Sequence, residues 1–297
     1  MKLPKVMLGS NPFHAVSYRS TQERKEFRRR FSSVESVYKV MERSAEIGIR
    51  GFHSYAKDME IEAIVKLRKK LGGSMTVVSI LPDIYGAMSR QAGAGSQDKN
   101  LAKIKMLFKN MPALLSAGMT GNLSPMVDSI LKAELSFIKE TKPNFILLHG
   151  TLTDVACVTE QKKLLQLFKD RVRDAGAIPG LTTHNLGTTY RKLKQMDIHF
   201  PVIEAPFNPQ GFMMQPSVAA CLEVRNEARD VHFVAKKVLA GGSGDPRKGF
   251  QYAYKEAGVQ CTVIGIGSVS EADETFEAAK EVLGDEFSKE YDVHDEA

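Results

Sequence analysis

Four of the seven histidines in this 297-residue sequence, His14, His53, His149 and His184, fall at or just beyond the ends of short apolar runs. Glu204 lies near the end of a further run of the same kind and Lys236 closes another. An imidazole titrates near neutral pH and can give or take a proton during a reaction. Neutral imidazoles with a carboxylate are also what zinc, iron or manganese ions require. His14, His53, His149, His184 and Glu204 are therefore a candidate set for a divalent metal, although no H-x-H or H-E-x-x-H spacing accompanies them. A single histidine in such a place is as well explained by a structural hydrogen bond. Only convergence of several on one point makes a site.

Lys236 follows the run Val231-His232-Phe233-Val234-Ala235 and precedes Lys237. Side chains alternate along a strand, so one lysine points to the inside of whatever the strand lines and the other points away. A lysine withdrawn from water has a lowered pKa, and its free amine can form a Schiff base with a carbonyl compound. An ion pair with Glu204 is the plainer alternative. Tyr55 and Tyr85 stand near the ends of the second and third runs. Gly241-Gly242-Ser243-Gly244 and Gly265-Ile266-Gly267-Ser268 come late in the chain, where glycine-rich loops and helix amides commonly receive phosphate.

Chemistry assembled from positions 14 to 237 needs a scaffold that gathers the ends of many segments. Apolar runs at 6–9, 51–54, 76–81, 145–148, 178–182, 202–205, 231–236 and 261–266 read as strands. Amphipathic stretches at 34–47, 59–71, 125–141, 159–175, 186–196, 217–229, 246–257 and 270–283 read as helices. Strand and helix alternate eight times, the pattern of a parallel (β/α)₈ TIM barrel, with the site in the loops after the strands. An open doubly wound sheet would have a glycine-rich phosphate loop after its first strand, and Gly9-Ser-Asn-Pro-Phe-His14 is not one. The whole chain, 1–297, is expected to form one domain. The exception to the alternation is 82–121, an irregular excursion between strand three and helix three with a short helix near 100–108, expected to cover the site.

Composition narrows the function. With 43% hydrophobic and 26% charged residues the chain has the balance of a soluble globular protein. Three widely spaced cysteines without a C-x-x-C pair fit a reducing cytoplasm. The first residues lack a signal-peptide core, and no run nears the ~20 apolar residues of a membrane span. The net charge of +6 suits a soluble basic surface or an anionic substrate. The basic cluster at 25–30 reads as a solvated face, because neither aromatic-interleaved RNA motifs nor zinc-finger spacings occur. The expected partner is a small molecule, without nucleic acid or membrane; sequence sets no oligomeric state.

Several segments resemble the aldo-keto reductase family, across most of the chain. The stretch Cys261-Thr-Val-Ile-Gly-Ile-Gly-Ser-Val-Ser-Glu is similar to the family's strand-eight turn, which carries the adenosine phosphate of the cofactor. That implies NADP contacts at Gly267 and Ser268, with Gly241 from the preceding loop. Pro201-Val-Ile-Glu-Ala-Pro-Phe-Asn-Pro resembles the strand-six segment that holds nicotinamide, with Glu204 and Phe207 in place of its amide and aromatic ring. Gly180-Leu-Thr-Thr-His-Asn185 is similar to the strand-five Gly-x-Ser-Asn turn, which implies a cofactor contact at Asn185. Phe145-Ile-Leu-Leu-His149 resembles the strand that ends in the family's catalytic histidine. The family's tetrad is Asp, Tyr, Lys and His. Here only His149 matches: His53 stands at the aspartate, the tyrosine position falls near Asp58 unless Tyr55 or Tyr85 replaces it, and residues 79–81 contain no lysine.

Three functional readings follow. The first is a divergent aldo-keto-reductase-like enzyme acting on a small carbonyl or hydroxy, sugar-like substrate by histidine-assisted acid/base chemistry, as an NADP-dependent oxidoreductase. The second is a lyase, isomerase or hydrolase built on a divalent metal or on a Lys236 Schiff base. The third is a catalytically silent ligand-binding barrel, disfavoured by the many polar groups aimed at one place, since an idle interior is cheaper to fill with apolar side chains.

Overall fold

Eight apolar runs pair edge to edge in chain order. In the computed structural model, which describes residues 1–82 and 122–295, the strands are β1 (Lys2–Pro4), β2 (Val6–Gly9), β3 (Gly51–Tyr55), β4 (Thr76–Leu81), β5 (Phe145–Leu148), β6 (Ile178–Thr182), β7 (Val202–Pro206), β8 (His232–Lys236), β9 (Cys261–Gly265) and β10 (Glu290–Asp292). Strands β2 to β9 are parallel and close into a barrel, β9 returning to β2 through Val6↔Thr262 to Gly9↔Gly265. Helices such as Val34–Ile47, Asp58–Lys70 and Val269–Leu283 follow the strands. The expected (β/α)₈ TIM barrel is the observed fold. Tyr85 and all of the 82–121 excursion but its flanking residue lie outside the described residues.

Alternation along each strand sorts side chains into two layers. Met7, Val78, Ile80, Phe145, Leu147, Ile178, Val202, Val234, Cys261 and Val263 pack with one another inside the barrel. The residues between them, among them Leu8, Phe52, Val77, Ile146, Leu181, Ile203 and Phe233, pack outward in the larger cluster that includes the helices. Burying each such side chain contributes about 1.5–3 kcal/mol, so the two layers fix the strand register. The interior is filled. At Gly180 an added Cβ would lie 2.4 Å from Leu147 Cδ2 and 2.8 Å from the Val202 carbonyl, so only glycine leaves room for that layer. Following the same parity to the C-terminal strand ends brings His53, Tyr55, His149, Thr182, Glu204 and Lys236 to the inside.

The opposite end is closed by β1 and β10, an antiparallel pair that the sequence pattern did not reveal because each is three residues long. Leu3 and Val293 from this plug join the interior cluster. Other boundaries also differ. The polar stretch after the first strand, which includes the basic cluster at 25–30, contains a helix, Thr21–Arg30, whose N-cap Ser20 accepts from the Glu23 amide. Arg28, Arg29 and Arg30 sit at its C-terminus, where the helix dipole favours cations. It was hidden because only Phe27 of it is buried. The expected 159–175 helix begins at Lys162 and is preceded by another, Gly150–Val158. Among the described residues no helix is long and apolar enough to cross a membrane.

Candidate active site

At the C-terminal mouth of the barrel lies a cavity of about 250 Å³. Its floor is Glu204, a carboxylate only 2% exposed. One oxygen is 2.8 Å from His53 Nε2; the other accepts from Thr182 Oγ at 3.3 Å and lies 3.6 Å from Lys236 Nζ. Burial alone would raise the Glu204 pKa, but the attraction and hydrogen bond of His53 and the charge of Lys236 outweigh it and hold the carboxyl at about 2. Lys236, 13% exposed, also donates to Thr182 Oγ. Desolvation pushes its pKa down to about 8 against the pull of Glu204, with help from the charge of Lys237.

Lys237 departs from alternation. Its φ of +55° is in the left-handed region, and the side chain that a continued strand would send outward turns back into the cavity, with Nζ 3.6 Å from the Tyr18 ring centroid. The expectation that one lysine faces in and the other out is corrected: both line the same cavity. Burial lowers the Lys237 pKa to about 8 as well.

The remaining wall is aromatic. Tyr55 has the rings of His53 at 6.1 Å and His149 at 6.4 Å, and His14 at 5.6 Å on its outer side. His149 caps the helix Gly150–Val158, its Nδ1 accepting from the Thr151 amide at 3.3 Å, so the neutral ring carries its proton on Nε2. Burial, then the charges of Lys236 and Lys237, push His184 down to about 3, leaving it neutral at pH 7. Its turn is pinned from behind: Thr183 Oγ donates to Asp154 at 2.5 Å and accepts from the Asn185 amide at 2.9 Å.

The five-residue metal set is not assembled. Among the described residues no group of three or more His, Cys, Asp or Glu is arranged to hold a metal ion. His14 faces away from Glu204, its Nε2 2.9 Å from Glu60, whose same oxygen accepts from the Tyr55 amide at 3.0 Å. Glu204 is already committed to His53, Thr182 and Lys236. Phe207 is corrected too. It follows the last residue of β7 on the outward parity, is 0% exposed and packs edge-on against Phe233, so it presents no face to a ligand. Gly241 lines the cavity, whereas Asn185, Gly267 and Ser268 do not.

The strand-eight turn shows whether a dinucleotide phosphate fits. The Gly267 amide donates to Glu271 at 2.7 Å, and the Ser268 hydroxyl accepts from the Glu271 amide at 3.1 Å. A Cβ at Gly267 would meet the Phe27 ring at 2.5 Å, and the Gly267 carbonyl accepts from Arg30. The amides and space that would receive phosphate are thus taken by the chain's own carboxylate and ring. Arg19, nearby, is paired with Glu23 and donates to the Gly242 carbonyl at 3.2 Å. The residues as arranged do not fit that phosphate. Tyr18, Arg19, Glu23 and Glu271 were missed as site residues because they come from a polar stretch or from the side of a helix, where no strand-end pattern marks them.

No family model and no curated protein matches the sequence. Solved structures do match in shape. A Pseudomonas aeruginosa protein placed among the aldo-keto reductases has a TM-score of 0.59 at 14% identity, over 94% of this chain and 91% of its own. An aldo-keto reductase from Bacillus halodurans in its holo form gives 0.54 at 11%, over 93% and 86%. The aldose reductase of Giardia lamblia gives 0.53 at 11%, over 96% and 90%. At these identities the likeness is one of fold: the chain shares with these proteins a closed parallel eight-stranded barrel.

Proposed function

We propose that the chain is an enzyme acting on a small carbonyl or hydroxy-carbonyl compound, with Lys236 as the nucleophile. The carrying observation is an amine only 13% exposed in a small cavity ringed by proton-transfer groups, where desolvation pushes its pKa down to about 8. About a tenth of such an amine is unprotonated at pH 7, against a few parts in ten thousand for an ordinary lysine. The free Nζ attacks the carbonyl carbon and the carbonyl oxygen takes up a proton. Loss of water from the carbinolamine leaves a C=N bond. Once protonated, that imine accepts the electron pair of an adjacent C–H, whose proton passes to a neighbouring base, or of the C–C bond one atom further on, whose far fragment leaves as a carbonyl compound; the enamine so formed takes a proton back on carbon, which is isomerase or lyase chemistry. Water then releases the product and restores Lys236. His149, whose neutral ring has its proton on Nε2, and Tyr55 are the proton carriers at the mouth, and the Glu204–His53 pair is the counter-charge to the iminium.

Borohydride reduction in the presence of small aldehydes and ketones tests this reading. The expected result is a stable mass increment on the peptide containing Lys236, absent in Lys236→Ala; no increment with any carbonyl would sink it.

A second reading, NADP-dependent carbonyl reduction by His149 with Tyr55, is supported by the barrel likeness and by the position of His149 at the end of β5. The filled strand-eight turn weighs against it. In that case NADPH fluorescence would shift on adding the protein, and no imine would be trapped.

A further inference from the structure

The charged side chains around the cavity are balanced one by one. Glu204 has His53 and Lys236; Glu23 has Arg19 and Ser17; Glu271 has the Gly267 amide. Arg19 has Glu23 and the Gly242 carbonyl. Lys237 is different. Among the described residues it makes no ion pair, and its cationic end rests on the face of Tyr18. Ring quadrupole attraction is weaker than a charge-assisted hydrogen bond, so a half-buried ammonium in this setting still lacks a counter-ion.

The backbone keeps it there. A side chain other than glycine's rarely adopts a φ of +55°, and such residues persist where the surrounding structure holds them. Here the turn is closed by the Ala240 amide donating to the Lys237 carbonyl at 2.8 Å. Without that left-handed turn the ammonium would leave the cavity. With it, two amines from adjacent residues line a space of about 250 Å³, which holds a small metabolite and little more.

We infer that Lys237 is the anion-binding residue of this site, and that the carbonyl substrate carries a carboxylate or phosphate group a few bonds from its carbonyl carbon. The inference rests on the carbonyl reading proposed for Lys236 but concerns a different contact, the salt bridge between Lys237 and the substrate's anionic group. It also accounts for the position of Tyr18, whose ring covers the ammonium at the mouth of the cavity and would be displaced from it or share it with the ligand.

Two matched probe pairs test it: pyruvate against methyl pyruvate, and dihydroxyacetone phosphate against dihydroxyacetone. Each is titrated by calorimetry into the wild type, Lys236→Met, Lys237→Met and Lys237→Arg, with imine trapping read in parallel. The expected result is at least about tenfold tighter binding of an anionic member than of its neutral partner, as a charge-assisted contact gives. That preference survives in Lys236→Met and Lys237→Arg and is lost in Lys237→Met. The pair that shows it tells carboxylate from phosphate. A preference that depends on Lys237 without any trapped adduct upholds this inference and removes the imine. Adducts forming equally from neutral and anionic probes, or a preference unchanged in Lys237→Met, overturn it and leave the imine standing. If Lys237→Met does not fold, Lys237→Gln takes its place with the same outcomes.

Discussion

His53 Nε2 and Glu204 Oε2 meet at 2.8 Å inside the barrel although 151 residues separate them in the chain. The contact joins β3 to β7 across the axis, in a place where neither group has much access to water. Removing one member of such a buried pair typically costs about 3–5 kcal/mol because the other is left without a partner. Glu204→Ala is therefore expected to lower unfolding stability by that order in urea titrations. Glu204→Gln, which keeps an acceptor for His53 and Thr182, is expected to lose much less stability while still losing activity. Equal stability of Glu204→Ala and wild type would show that the pair contributes nothing to the fold.

Glu204 and His184 set a pH limit on stability. The His184 pKa is depressed to about 3 and that of Glu204 to about 2, so between each ordinary value and its folded value the unfolded chain binds the extra proton. Stability is then present above the ordinary value and lost as pH falls. The loss is expected to begin below about 6.5 through His184 and to steepen below about 4.5 as Glu204 joins. In denaturation midpoints measured from pH 7 to 3, His184→Asn should remove the upper part of the decline. A wild-type midpoint that stays flat from pH 7 to 5 contradicts the burial of a neutral imidazole.

Lys236 gives a dependence of the opposite sense, on rate. Only the free amine attacks a carbonyl, so imine trapping should rise with pH through a midpoint near 8 instead of above 10. Lys237 contributes to that depression through its charge, and Lys237→Met is expected to move the midpoint upward. The pH profile of adduct formation, followed by mass spectrometry, reads both.

Much of this site was legible because strand parity is a strict rule. Once β3, β5, β7 and β8 were located from their apolar runs, His53, His149, Glu204 and Lys236 had to emerge together at one end. Where a residue lies just past its strand the rule fails. Phe207 continues the outward parity and joins the core, while the left-handed turn at Lys237 reverses its direction, and neither event leaves a mark in composition. Pairing across elements was also out of reach. Nothing in the sequence says that His14 prefers Glu60 to Glu204, or that Glu271 folds back onto the Gly267 amide, since both depend on how helices and loops seat against the barrel.

The proton carriers are separable by substitution. Positioned acid/base groups typically contribute ~10²–10⁴ in rate, so His149→Ala should lower turnover by about that factor, with a stability loss of only about 0.5–2 kcal/mol from the missing cap on the helix Gly150–Val158. Tyr55→Phe keeps the ring between His53 and His149 and removes only the hydroxyl. A loss in Tyr55→Phe comparable to that in His149→Ala would make the phenol a proton donor; unchanged turnover would leave Tyr55 as a wall. Steady-state kcat and KM, measured once a substrate is in hand, distinguish the two.

The strand-eight turn decides between the two carbonyl chemistries without any substrate. A ligand that binds only the folded state raises its stability by RT ln(1 + [L]/Kd), about 2.7 kcal/mol at a hundredfold excess over Kd. A dinucleotide held at the helix N-terminus of Val269–Leu283 would need the Gly267 amide, which now donates to Glu271, and the space beside it, which Phe27 fills. Burial already raises the Glu271 pKa, so the carboxylate there has been placed at some cost and its negative charge repels phosphate. Neither NADP nor NADPH is therefore expected to shift the melting temperature of the wild type. Glu271→Gln removes the repulsion but leaves Phe27 in place, and is expected to remain unresponsive, whereas Phe27→Ala with Glu271→Gln opens both. A clear stabilisation of the wild type by NADPH would show that the helix Thr21–Arg30 and its Phe27 yield to the cofactor, and would return the site to carbonyl reduction.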